Sequence, residues 1–83
     1  MSPYIPQEER RAMDNGLSPH SAGQLNYSIS DMIRKYMYRE FQTPGYDTFN
    51  EVMGVLSCVQ QELYRKVIAE YEDKRCEENG DVF

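Results

Sequence analysis

Apolar residues recur at Phe49, Val52, Leu56, Val59, Leu63 and Val67 in steps of three or four. That spacing lines them up along one face of a 3.6-residue helix. Thr48-Phe49-Asn50-Glu51 reads as a capping box, the Thr48 hydroxyl accepting from the Glu51 amide and the Glu51 carboxylate reaching back to the Thr48 amide. The pattern predicts a long central helix over 48–75, its apolar part ending near Tyr71, with Tyr46 and Asp47 outside it. Met53, Val55 and Cys58 make the first half apolar almost all round, the pattern of a helix buried on several sides. Cys58 is then expected to be a small buried apolar residue. Gly54, which costs about 1 kcal/mol against Ala in a helix interior, leaves with Ser57 and Cys58 a low patch. That patch is either a place where another helix approaches or a tolerated core glycine.

A second stripe, Leu25, Ile29, Met32, Ile33, Tyr36, Met37 and Phe41, predicts a helix over 24–41 with this face toward the central helix. Its opposite side carries Asp31, Arg34, Lys35, Tyr38 and Arg39. Such a face is either simply solvated or a basic-aromatic cluster able to bind phosphate and stack a base. Thr43-Pro44-Gly45 makes a tight turn, which favours an antiparallel hairpin of the two long helices. Upstream, residues 1–6 form an extended arm, because Ser2 and Ile5 each precede a proline. Tyr4 and Ile5 are its apolar anchors, for the body of the protein or for a neighbouring chain. A short helix over 7–14 follows, opened by Pro6 and stopped at Asp14-Asn15-Gly16 by a left-handed cap or turn. Residues 17–23 are a polar connector. The fold class is all-α: a helical hairpin with a short N-terminal helix and an extended arm, in one domain over 1–83.

The chain has 83 residues, near the size at which one core supplies only about 3 to 5 kcal/mol without staples or partners. Together with an apolar surface broader than one helix can cover, that predicts a homo-oligomeric helical bundle. The net charge of −5 is uneven. Six acids face two bases in residues 70–83, a net of −4, whereas the 69 residues before them carry seven bases and eight acids, a net of −1. That balance argues against general nucleic-acid binding, which needs a basic surface to release counterions. The apolar runs are too short for a membrane span, and MSPYIPQEERR lacks the apolar core of a signal peptide. A cytoplasmic location is therefore expected. The C-terminal 76–83 tail ends in Val82-Phe83, which are expected to dock on the body or on a sister chain.

Catalytic chemistry finds little support. His20 is the only histidine, in a polar connector, and no nucleophile motif, phosphate-cradling glycine loop or metal-ligand spacing accompanies it. Cys58 and Cys76 would lie about 27 Å apart on one helix, too far for a disulfide. No enzyme activity, cofactor or metal is expected.

Pro3-Tyr4-Ile5-Pro6-Gln7, Leu25-Asn26-Tyr27, Glu62-Leu63-Tyr64-Arg65-Lys66-Val67, Tyr71-Glu72-Asp73-Lys74-Arg75 and Glu78-Asn79-Gly80-Asp81-Val82-Phe83 carry a resemblance across nearly the whole chain. The chain resembles a family of small uncharacterised bacteriophage and prophage proteins with a PYIP-type arm and a YEDKK...ENGDVY-type tail. It departs from that pattern at Glu70, where the family tends to have proline, and at Phe83, where it has tyrosine. The resemblance implies a phage product in the host bacterial cytoplasm. The function expected on that basis is sequestration of a small phosphate-bearing host signalling nucleotide without converting it, a counter-defence sponge. Arg65, Lys74 and Arg75 would pair with phosphates, and Tyr4 and Tyr71 would stack on bases or ribose. The alternative is a blocker that binds a host protein, or a tail that is only a solvated helix end.

Overall fold

The computed structural model describes residues 5–83, and among them every regular element is helical. Helix α1 spans Gln7–Asp14, α2 spans Ala22–Met37, α3 spans Tyr46–Leu63 and α4 spans Ala69–Asn79. A 3-10 turn, Arg39–Phe41, follows α2, and a π-helical turn, Tyr64–Ile68, joins α3 to α4. The chain divides into two compact units, Met1–Gly45 and Tyr46–Phe83. Met1 to Tyr4, most of the predicted arm, lie outside the described residues.

In the N-terminal unit, α1 and α2 pack on each other. Pro6, in extended backbone, opens α1, and Gly16 closes it at φ 102°. The Gly16 amide donates to the Met13 carbonyl and the Leu17 amide to the Ala12 carbonyl, the paired bonds of a Schellman cap. Helix α2 starts two residues earlier than the apolar stripe predicts. Ser21 is its N-cap, its Oγ accepting from the Gln24 amide at 3.1 Å. The Gln24 Oε1 in turn accepts from the His20 amide at 2.8 Å, and its Nε2 donates to Glu9 Oε1 at 3.1 Å. Gln24 is buried, so one side chain closes the start of α2, holds the connector and ties α1 to α2.

The predicted end of this helix at Phe41 is corrected to Met37. Arg39 lies over the Tyr36 ring at 4.1 Å and donates to the Tyr36 carbonyl at 2.8 Å, capping the last turn. Glu40 and Phe41 then take φ 55° and 61°, the left-handed region, which no α-helix can continue through. Phe41 is fully exposed, and Leu25 and Met32 also remain exposed, so the predicted stripe is largely uncovered.

The C-terminal unit begins at Tyr46, so the predicted start at Thr48 is corrected by two residues. Asp47 enters the first turn, where its carboxylate meets the positive end of the helix dipole. Thr48 is therefore inside the helix and cannot be its N-cap. From Leu63 through Ala69 the flanking backbone stays right-handed helical, so α3, the π-turn and α4 form one continuous run. Glu70 lies within that run. It ends at Asn79, where Gly80 at φ 85° donates its amide to the Cys76 carbonyl at 2.8 Å.

Nothing within this unit folds back on the helix. Met53, Val55 and Val59 are 66%, 62% and 58% exposed, and Cys58 is exposed as well, which corrects the expectation of a buried cysteine. A straight helix supplies no second surface to cover its own sides. Val82 and Phe83 are fully exposed rather than docked on the body. Among the described residues Ile5 is the one apolar side chain that is buried.

Replacing Ser21 with Ala should lower the stability of the N-terminal unit by about 1 kcal/mol, through loss of the α2 cap. Replacing Gln24 with Ala should cost more, because it orphans the Glu9 and His20 contacts together. Urea unfolding followed by helical circular dichroism checks both.

Candidate functional site

The residues expected to bind ligand do not form one site within the described structure. Tyr4 lies outside it. Arg65 sits in the π-turn, about 14 Å along the helix axis from Lys74. Lys74 faces Glu70 at 3.8 Å, and Arg75 faces Glu78 at 3.6 Å while lying 5.7 Å over the Tyr71 ring. Tyr71 and Arg75 are thus together, but each basic head of α4 already has an acidic neighbour one turn away. These pairs are exposed and at the long end of ion-pair distance, where they contribute little.

A different cluster assembles in the N-terminal unit. Arg10 and Asp14 from α1 meet Tyr27, Ser30, Asp31, Arg34 and Lys35 from α2 around a shallow open cleft. Helical spacing places Tyr27, Asp31, Arg34 and Lys35 on one side of α2, in steps of three and four. The Arg10 guanidinium lies 5.2 Å over the Tyr27 ring, and the Tyr27 hydroxyl donates to Asp14 Oδ1 at 2.8 Å. Asp31 accepts from Arg34 Nη2 at 2.8 Å and pairs with Lys35 Nζ at 2.9 Å. Those bonds hold the Asp31 carboxyl below its ordinary value, the Lys35 contact first and the Arg34 contact second. The same contacts raise Arg34 and Lys35, so all three stay charged at neutral pH.

Three cations against two carboxylates leave this cleft net positive in an acidic chain. The Arg34 and Lys35 side chains are mostly exposed, which leaves their outward donors to solvent or to an anion. The sequence pattern puts Arg34 and Lys35 on a charged face of α2 but does not place Arg10, Asp14 and Tyr27 beside them. Arg10 and Asp14 stand on another helix, and only the packing of α1 on α2 brings them in. Of the other predicted members of that face, Arg39 is engaged by Tyr36 instead.

Neither cysteine has a disulfide. Partial burial, with Asp81, Asp73 and Glu72 close by, pushes the Cys76 thiol up and away from nucleophilic reactivity. Among the described residues no group of three or more His, Cys, Asp or Glu side chains could hold a metal ion. No described helix is long and apolar enough to cross a membrane.

The lowered Asp31 value fixes a pH dependence. Its contribution is complete above the ordinary aspartate value of 3.8 and is lost as pH falls through the lower folded value. Asp31→Asn should therefore flatten the acid limb of the stability curve while leaving Arg34 and Lys35 without their shared partner. Thermal unfolding from pH 2 to pH 7, with about equal ionic strength at each point, reads this out.

No curated protein and no solved structure matches the chain. A family model does, over residues 1–82 of the 83, and the chain belongs to the family described as Domain of unknown function (DUF6899).

Proposed function

We propose that the protein is a non-catalytic binding module that acts by covering a partner protein with its helical faces. The observation that carries this reading is the exposure of large apolar side chains along α2 of the N-terminal unit, Leu25, Ile29 and Met32. Exposed apolar side chains repeating along one helical face are what protein interfaces bury. The resemblance to small phage proteins suggests a host protein in the bacterial cytoplasm as the partner.

The sponge for a phosphate-bearing signalling nucleotide is the second reading, and one observation favours it. Arg10, Arg34 and Lys35 stand around Tyr27 in a net-positive cleft, offering charge for phosphate and an aromatic ring beside it. This moves the proposed ligand contacts from Arg65, Tyr71, Lys74 and Arg75 to the N-terminal unit. Tyr4 keeps its proposed stacking role without a structural placement.

A thermal-shift screen of bacterial signalling nucleotides at low salt separates the readings, since a ligand of the folded state raises the melting temperature by mass action. Under the sponge reading one nucleotide raises it, is recovered unchanged after heating, and loses its effect in Arg34→Ala. The combined Arg65→Ala, Lys74→Ala and Arg75→Ala variant should keep the shift. Under the blocker reading no nucleotide shifts the transition, and Met32→Glu releases a stoichiometric host protein that co-purifies with the unaltered chain.

A further inference from the structure

The C-terminal helix carries a seam with a one-residue fault, and the π-turn lies at the fault. Phe49, Val52, Leu56, Val59 and Leu63 follow in steps of three, four, three and four, the alternation of a seven-residue helical seam. The next step of three would reach Lys66. The apolar residue comes one position later, at Val67, and the next large apolar residue after Ile68 is Tyr71, a step of four beyond Val67. On an uninterrupted α-helix that extra residue lets the stripe drift, leaving Val67 roughly 50° and Tyr71 roughly 90° from the middle of the Phe49–Leu63 line. The structure instead places the π-turn at Tyr64–Ile68, and a π-turn takes one more residue into its ring. Val67 and Tyr71 then return to the line set by Phe49 to Leu63.

A second observation supports the same phase. The Tyr64 hydroxyl donates to Glu72 Oε2 at 2.9 Å across eight residues. Eight residues of α-helix put two side chains roughly 80° apart, whereas seven put them roughly 20° apart. The bond is made because one residue has been absorbed between them.

We infer that this seam joins copies of the same chain in a parallel, in-register bundle, with the π-turn keeping Val67 and Tyr71 in contact with their counterparts. The occupant must present a straight seven-residue seam about 33 Å long, and a second copy presents that seam. The charges flanking the seam choose the direction. Glu62, Glu70 and Glu77 line one side of it, and Arg75 stands on the other side near its end. Antiparallel helices set like sides together and bring glutamates against glutamates. Parallel helices set Glu70 of one copy against Arg75 of the next. The ion pairs these residues make within one chain are long and exposed, so exchanging them costs little. Leucine alternating with β-branched valine in the order found here favours more than two strands, and Met53 and Val55 beside the seam widen the contact. Gly54 falls on the outer side, where an added Cβ meets open space.

The inference needs no ligand, and its test stands apart from the proposed function. Light scattering of the purified full chain should give a mass of three or four chains; the mass of one or two overturns the proposal. Orientation is read with the native Cys76 in a Cys58→Ser background, labelled with a mixed donor and acceptor pair. Parallel copies hold these labels within roughly 25 Å and transfer energy strongly, while antiparallel copies hold them roughly 50 Å apart and transfer weakly; weak transfer overturns the direction. Deleting Lys66 removes the extra residue and should keep the full mass, whereas inserting one Ala after Lys66 should lose it. Loss on deletion, or full retention on insertion, overturns the role of the π-turn. Gly54→Ala should keep the mass and raise the melting temperature; a loss of assembly there would place the interface on the Gly54 side instead.

Discussion

A helix running unbroken from Tyr46 to Asn79 owes most of its stability to whatever covers its apolar side, because hydrogen bonds along the backbone barely outweigh the entropy of ordering the chain. In the C-terminal unit that cover is missing within the unit itself. On that side Leu56 is still 37% exposed. Local ion pairs such as Glu62–Lys66 support the helix on its wet sides, and the apolar side stays exposed within the unit.

The N-terminal unit meets the same shortage differently. Its two helices are too short to bury much apolar surface, and polar contacts between them do a share of the positioning. Gln24 reaches Glu9, and Tyr27 reaches Asp14, so two bonds from α2 seat α1 against it. Each bond is worth little alone, but both involve carboxylates, and hydrogen bonds to charged groups are the stronger kind. The net-positive cleft is a by-product of that seating. Arg10 lies over Tyr27 because the helix that carries it has been drawn onto α2.

Local sequence decided where the helices stop and start to within a few residues. Gly16 and Gly80 close their helices with positive φ because other side chains resist that backbone, and Pro6 opens α1 in the extended geometry proline favours. The start of α2 was legible too, since Ser21-Ala22-Gly23-Gln24 has the spacing of a capping box, although the stripe beginning at Leu25 drew the boundary later. Thr48 misled in the opposite sense: a good capping residue is accepted inside a first turn when Asp47 before it also suits the helix dipole.

The sequence by itself determined an all-helical chain with an acidic tail and two apolar stripes, because periodicity and caps are properties of neighbouring residues. Only the tertiary structure decided that Arg10 and Asp14 join Tyr27, Arg34 and Lys35, since those groups stand on two helices whose packing no local pattern specifies. It also decided that Cys58 faces solvent, because burial depends on what lies opposite a residue and not on the residue. The π-turn falls between the two. Its cause, one residue too many between Leu63 and Val67, is written in the chain, but whether a helix drifts by that residue or absorbs it depends on contacts such as Tyr64 with Glu72 that exist only once the helix has formed.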